Sequence, residues 1–195
     1  MKKKAFVFIV LASVLWGTSG LFVNVLAPFG FSSLHMSAMR GGISFLCLLV
    51  FVLIKDRSLM KIKPGDLFIV LLSGVSMFGA ASSYYAAMQA SSVSTAVVLM
   101  YTAPIYVLIY SVLFLSEKLT PVKTLSIVLM LIGCCLVSGI IGGLKFSVAG
   151  ILLGFLSGIS YGAYNIFTKI AMRRKINPVT VTFYNFAVMF ILATC

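Results

Sequence analysis

Acidic residues are nearly missing from this chain: of its 195 residues only Asp56, Asp66 and Glu117 are Asp or Glu, and charged residues of any kind make up 9%. None of the three falls at depth within an apolar run. That removes the paired carboxylates of general acid–base catalysis and the buried acid through which many carriers relay protons. Histidine occurs once, as His35, and the four cysteines, Cys47, Cys134, Cys135 and Cys195, show neither metal-ligand nor paired-loop spacing. A phosphate-binding glycine loop and a nucleophile with a base at useful spacing are absent as well. The expectation is a protein that is not an enzyme, with no catalytic residues, no metal site and no cofactor.

Apolar residues fill the space left by charge. The chain is 62% hydrophobic, and its apolar runs reach the roughly 20 residues that a helix needs to cross a bilayer core. The fold expected is all-α, a polytopic transmembrane helix bundle whose main partner is the lipid bilayer. A net charge of +12 would suit a nucleic-acid binder, but the basic residues form short clusters between apolar spans, which speaks for membrane topology and against nucleic acid.

Seven spans are legible. The first runs from Ala5 to about Val25 behind Lys2, Lys3 and Lys4; it is too long for a signal-peptide core and lacks a small-x-small cleavage pattern, so it is expected to be retained. The others are expected at about 33–54, 67–90, 94–115, 124–141, 149–171 and from Pro178 onward, with Pro64-Gly65-Asp66 as a turn into the third. Alternate loops divide the cations unequally: thirteen of the fifteen Lys and Arg fall on one side, Lys145 alone on the other, and Arg40 inside a span. By the positive-inside rule a multi-pass protein with a cytoplasmic amino terminus is expected.

The segment Ala149 to Lys169 restarts the chain. At helical spacing Gly158, Gly162, Asn165 and Lys169 share one stripe, and Ser13, Gly17, Gly20 and Asn24 make the same stripe 145 positions earlier. The shift also pairs Trp16-Gly17 with Tyr161-Gly162 and Phe22 with Phe167. Five spans separate the two copies, an odd number, so the copies run in opposite directions. Residues 5–141 are thus expected to form a five-helix repeat and 149–195 the incomplete start of a second, inverted one, a construction common in alternating-access transporters.

Trp16-Gly17 in the first span, Arg40 in the second, Pro104 in the fourth, and Glu117, Leu119 and Gly133 in LSEKLTPVKTLSIVLMLIGCCLVSG together resemble the drug/metabolite transporter superfamily, within it the EamA-type permeases of ten helices. Departures from the pattern are Ser116 and Ser126 where glycine is frequent, and Asn185 where a second copy of Arg40 would fall. The resemblance covers one five-helix unit and the two opening helices of the next, and it implies a chain truncated after its seventh helix.

Candidate site residues follow from these patterns. Tyr101 and Tyr106 on the fourth span and Tyr84 on the third belong to an unusual load of hydroxyls, with Ser82, Ser83, Tyr85, Gln89, Thr102 and Tyr110. Such a mixture suits a pocket for an amphipathic solute, or interhelical hydrogen bonds and an interfacial belt, the latter for Tyr85 in particular. Arg40 is an intramembrane cation that no acid of the chain reaches directly; hydroxyls, helix-end carbonyls, water or a substrate carboxylate remain as partners. With Trp16, Asn24 and Asn165 these complete a candidate substrate-binding set of Trp16, Asn24, Arg40, Tyr84, Tyr101, Tyr106 and Asn165. Pro104 is either a gating bend or a static kink. Gly17, Gly20, Gly154, Gly158 and Gly162 are candidates for close helix packing. The function that the resemblance implies is an inner-membrane secondary transporter, a permease or exporter of small amphipathic metabolites such as amino acids or related compounds. The alternative is a non-transporting truncated fragment, or an assembly partner completed by a second copy in a homodimer or by another chain.

Overall fold

The computed structural model describes residues 2–114, 119–137 and 147–195. Glu117, Gly142, Gly143, Lys145 and the end of the fifth span lie outside the described residues. All regular elements among the described residues are helical: α1 (Lys2–Gly17), α2 (Ser19–Leu26), α3 (Ser33–Lys55), α4 (Pro64–Ala90), α5 (Val93–Met100), α6 (Ala103–Phe114), α7 (Pro121–Val137), α8 (Val148–Arg173) and α9 (Pro178–Thr194), with short 3-10 turns at Ala27–Phe29 and Arg57–Met60. The protein is an all-α polytopic bundle. Five stretches, Phe6–Phe29, Ser33–Lys55, Pro64–Ala90, Val93–Phe114 and Val148–Arg173, are long and apolar enough to cross a membrane, and Pro121–Gly133 and Pro178–Thr194 are shorter apolar helices.

Local chemistry sets the helix starts. Ser32 caps α3, its hydroxyl accepting from the His35 N–H while the His35 ring receives the Ser32 N–H. Ser92, Ser147 and Asn177 do the same one-sidedly for α5, α8 and α9. Pro64-Gly65-Asp66, expected as a turn, is instead the first turn of α4, because Pro64 sits at the helix start, where its missing N–H costs nothing. Between α2 and α3 the chain turns through Gly30 at φ 81°, a left-handed conformation that favours glycine.

α4 and α8 form the centre of the bundle. α9 packs between α3 and α4, while α5 and α6 cover another flank of α8. Glycine makes that flank close: a Cβ on Gly154 would lie 2.5 Å from Leu99 Cδ1, and one on Gly158 2.7 Å from Thr102 Oγ1 and 2.8 Å from the Leu99 carbonyl oxygen. A Cβ on Gly162 would lie 3.2 Å from Tyr106 Cβ and one on Gly20 2.9 Å from Val93 Cγ1, whereas a Cβ on Gly17 would meet nothing within 4 Å. Buried hydroxyls tie the centre together, Ser73 to Thr168 at 3.1 Å and Ser82 to Ser37 at 3.0 Å. Asn185 is 1% exposed, and its Oδ1 finds no hydrogen-bond donor among the described residues.

Two of the spans are interrupted. In the first, Thr18 and Ser19 turn their hydroxyls back to the carbonyls of Leu15 and Trp16 at 2.7 and 2.6 Å, and the helix is reset between α1 and α2. The fourth stops after Met100 and resumes at Ala103. Pro104 has no N–H to give the Met100 carbonyl, so the ladder fails one turn before the proline, and the Thr102 hydroxyl donates to the Leu99 carbonyl at 2.7 Å instead. The kink expected at Pro104 is therefore a break at Tyr101-Thr102. Gly158 of α8 lies directly against it.

The loop before α4 and the turn before α9 are laced at the end that carries the basic loops. Arg174 reaches Asp66 Oδ1 at 3.2 Å and the Gly65 carbonyl at 3.3 Å. Thr180 and Tyr184 donate to the Leu59 and Met60 carbonyls at 2.7 and 2.9 Å.

Candidate substrate cavity

Arg40 projects from the half of α3 remote from the basic loops. Its guanidinium Nη1 donates to the Tyr85 hydroxyl at 3.1 Å, and its central carbon stands 5.6 Å from the centroid of the Trp16 ring. A hydroxyl and a ring face lower the cost of holding this cation in an apolar span without neutralising it. Tyr85, for which the sequence leaves open a pocket, an interhelical hydrogen bond or an interfacial belt, is buried and is the hydroxyl that Arg40 reaches.

Trp16 meets Tyr161 of α8 edge to face, centroids 5.9 Å apart and planes at 83°, and Tyr161 stacks on Tyr164. These rings partition the free space. A cavity of about 250 Å³ lies among Ser13, Trp16, Tyr84, Tyr101 and Tyr161, and one of about 190 Å³ among Trp16, Arg40, Tyr84, Tyr161, Tyr164 and Thr182. Beyond Tyr101 and Tyr161 a wider groove of about 620 Å³ is lined by Pro104, Ser111, Asn165 and Lys169, among others. A fourth space, about 520 Å³, opens between α1–α2 and α3, with Arg40 and Trp16 on its wall. Apolar walls with a few placed polar groups are what a small-solute site requires.

Of the sequence candidates, Trp16, Arg40, Tyr84 and Tyr101 are gathered around the two inner cavities. Asn165 lies one step further along α8, its amide Nδ2 donating to the Tyr161 carbonyl at 2.7 Å, and lines the wider groove with Pro104. Tyr106 packs against Gly162 and lines none of these four spaces. Asn24 is exposed on α2 and stays outside the cluster, although Gly20 of the same helix still lines the larger inner cavity with Ser13 and Gly17. Tyr161, Tyr164 and Phe186 are the aromatic residues of the inner cavities that the candidate set omits. The register pairing of Trp16 with Tyr161 carried the signal for the first.

A family model described as "EamA-like transporter family" matches residues 3–139. The chain belongs to that family. The chain is also similar to two proteins from Archaeoglobus fulgidus, each named "Uncharacterized transporter": one is 35% identical over 91% of this chain and 60% of its own length, the other 26% identical over 92% and 62%. The EamA-like chain thus spans about 60% of the length of those relatives. Arg40, Trp16 and the broken fourth span all lie within the part that the family model matches.

Proposed function

We propose that the chain belongs to an inner-membrane secondary transporter, a permease or exporter that moves small amphipathic metabolites, amino acids or related compounds, by alternating access. The observation that carries this is the meeting of two interrupted spans and α8 at a cavity that holds one half-buried cation, Arg40, with no acidic partner among the described residues. Discontinuous helices around a site at membrane depth are a recurring feature of secondary transporters. In this mechanism Arg40 takes the substrate carboxylate through its planar fork, and the walls of Trp16, Tyr84 and Tyr161 take the apolar part. The repeats, 5–141 and 149–195, rock against each other, with the amino terminus in the cytoplasm. The break at Tyr101-Thr102 gives the fourth span a joint at which the passage toward Asn165 and Lys169 opens.

The test is transport into proteoliposomes by Arg40→Lys and Arg40→Gln variants beside the unmodified protein. Both variants are expected to insert and to keep their thermal stability, while losing anionic and zwitterionic solutes and sparing neutral analogues. Lysine keeps the charge but loses bidentate pairing. A uniform loss for every solute, together with lowered stability of Arg40→Gln, would make Arg40 structural and remove it from the site.

A further inference from the structure

We infer that the space between α1–α2 and α3 is a tail-binding cleft, and that the substrate class includes single-tailed amphiphiles whose carboxylate sits at Arg40 while the tail lies in this cleft. This rests on the reading of Arg40 as the carboxylate site.

Size and charge together decide where a tail can go. The inner cavities, about 250 and 190 Å³, fall below the roughly 300 to 1,000 Å³ of sites that enclose a drug-sized ligand; the cleft, about 520 Å³, and the groove beyond Tyr101, about 620 Å³, fall within it, and of these two only the cleft is lined by Arg40. The cleft is open along its side: Leu15, Phe22 and Ile43 on its rim are 71, 64 and 62% exposed, while Val23, Met36 and Tyr85 form a buried floor. α2 leans on α4, so the apolar rims stand apart from each other above that floor.

Charge is placed at one point of this trench. Arg40 lines both the cleft and the smaller inner cavity, with Trp16 between them. A carboxylate amphiphile dissolved in the bilayer keeps its tail among apolar groups while its head needs a cation, and a laterally open apolar cleft ending at a guanidinium satisfies both without stripping the tail of apolar contact. The single trench suits one tail better than the paired chains of a phospholipid.

The experiment uses the purified protein in nanodiscs, with decanoate as the tailed probe, leucine as the small one, and a decanoate carrying a diazirine at its tail end. Photolabelling is expected on α1–α2 and α3 segments containing Leu15, Phe22 or Ile43. Ile43→Trp and Met39→Trp, at exposed rim positions that leave the floor intact, are expected to weaken decanoate binding about tenfold, a change of ~1.4 kcal/mol, and to leave leucine binding unchanged. Arg40→Gln is expected to weaken both probes. Loss of both probes in Arg40→Gln with no effect of either tryptophan on decanoate would overturn the cleft and leave the Arg40 reading standing. Unchanged binding of both probes in Arg40→Gln would overturn the Arg40 reading and the cleft with it. Labels confined to inner-cavity residues such as Tyr84, no measurable decanoate binding, or a copurified phospholipid that decanoate cannot displace would each overturn the inference.

Discussion

Trp16 and Tyr161, 145 positions apart and equivalent in the register that joins the two copies of the sequence, meet edge to face with ring centroids 5.9 Å apart. The contact links the first span to α8, and Arg40 stands over the Trp16 ring, 5.6 Å from its centroid. Such aromatic pairs contribute about 0.5 to 1.5 kcal/mol beyond their area. A double-mutant cycle of Trp16→Leu and Tyr161→Leu, read by thermal unfolding in detergent, is expected to show coupling in that range. Additive effects would mean that the rings are neighbours without mutual stabilisation.

Gly158 faces backbone. Because a Cβ there would lie 2.8 Å from the Leu99 carbonyl, Gly158→Leu forces α8 away from the break in the fourth span, and overpacking of this kind costs about 1 to 3 kcal/mol or more. Folded yield in detergent is expected to fall sharply. Leu156→Ile, at an exposed position on the same helix, is expected to change yield little.

Pro104→Ala restores the N–H that the Met100 carbonyl lacks. The variant is expected to fold at least as stably as the unmodified protein, since the fourth span can then be continuous, and to transport more slowly because the joint at Tyr101-Thr102 is lost. Thermal unfolding and uptake measured on one preparation check this; equal transport would make the break static.

Asp56 caps the turn at Arg57–Met60, and hydrogen bonds from Ser58, the hydroxyl first and then the backbone N–H, hold its carboxyl below the ordinary carboxylate range. The lowered value means that the ionised form favours the folded loop. This contribution is present above the ordinary carboxylate pKa and is lost as pH falls through the lower, folded value. Ser58→Ala is expected to raise the titration midpoint of Asp56, followed by the carboxyl carbon shift in a selectively labelled sample.

If the basic loops face the cytoplasm, Phe29→Cys reacts with an impermeant thiol reagent added outside intact cells and Lys61→Cys does not, each in a background with the four native cysteines replaced. Both positions are exposed at opposite ends of the α3 span. The reverse pattern would turn the topology over.

Much of this protein follows from its sequence alone. Long apolar runs permit only a helix or a closed barrel in lipid, and the helical stripe of Gly154, Gly158 and Gly162 on α8 marked a face for close packing before any coordinates. The position of Arg40 inside a span likewise singled it out, since a lone cation there requires partners. Which partners it has was a matter of tertiary structure: Tyr85 lies 45 positions away on α4, one of several hydroxyls the sequence left open, and only the approach of α3 to α4 brings its hydroxyl to 3.1 Å. The interruption at Thr18 was equally hidden, because threonine is compatible with a continuous helix and the reset depends on where its hydroxyl turns. Asn24 falls outside the larger inner cavity, while Gly20, on the same side of the interruption, still lines it with Ser13 and Gly17. Apolar periodicity sets which residues enter the membrane, but it is nearly blind to which of several apolar faces meet, since lipid and protein are alike to a leucine; that choice is made by glycine contacts and buried hydroxyls, which act only between helices already in place.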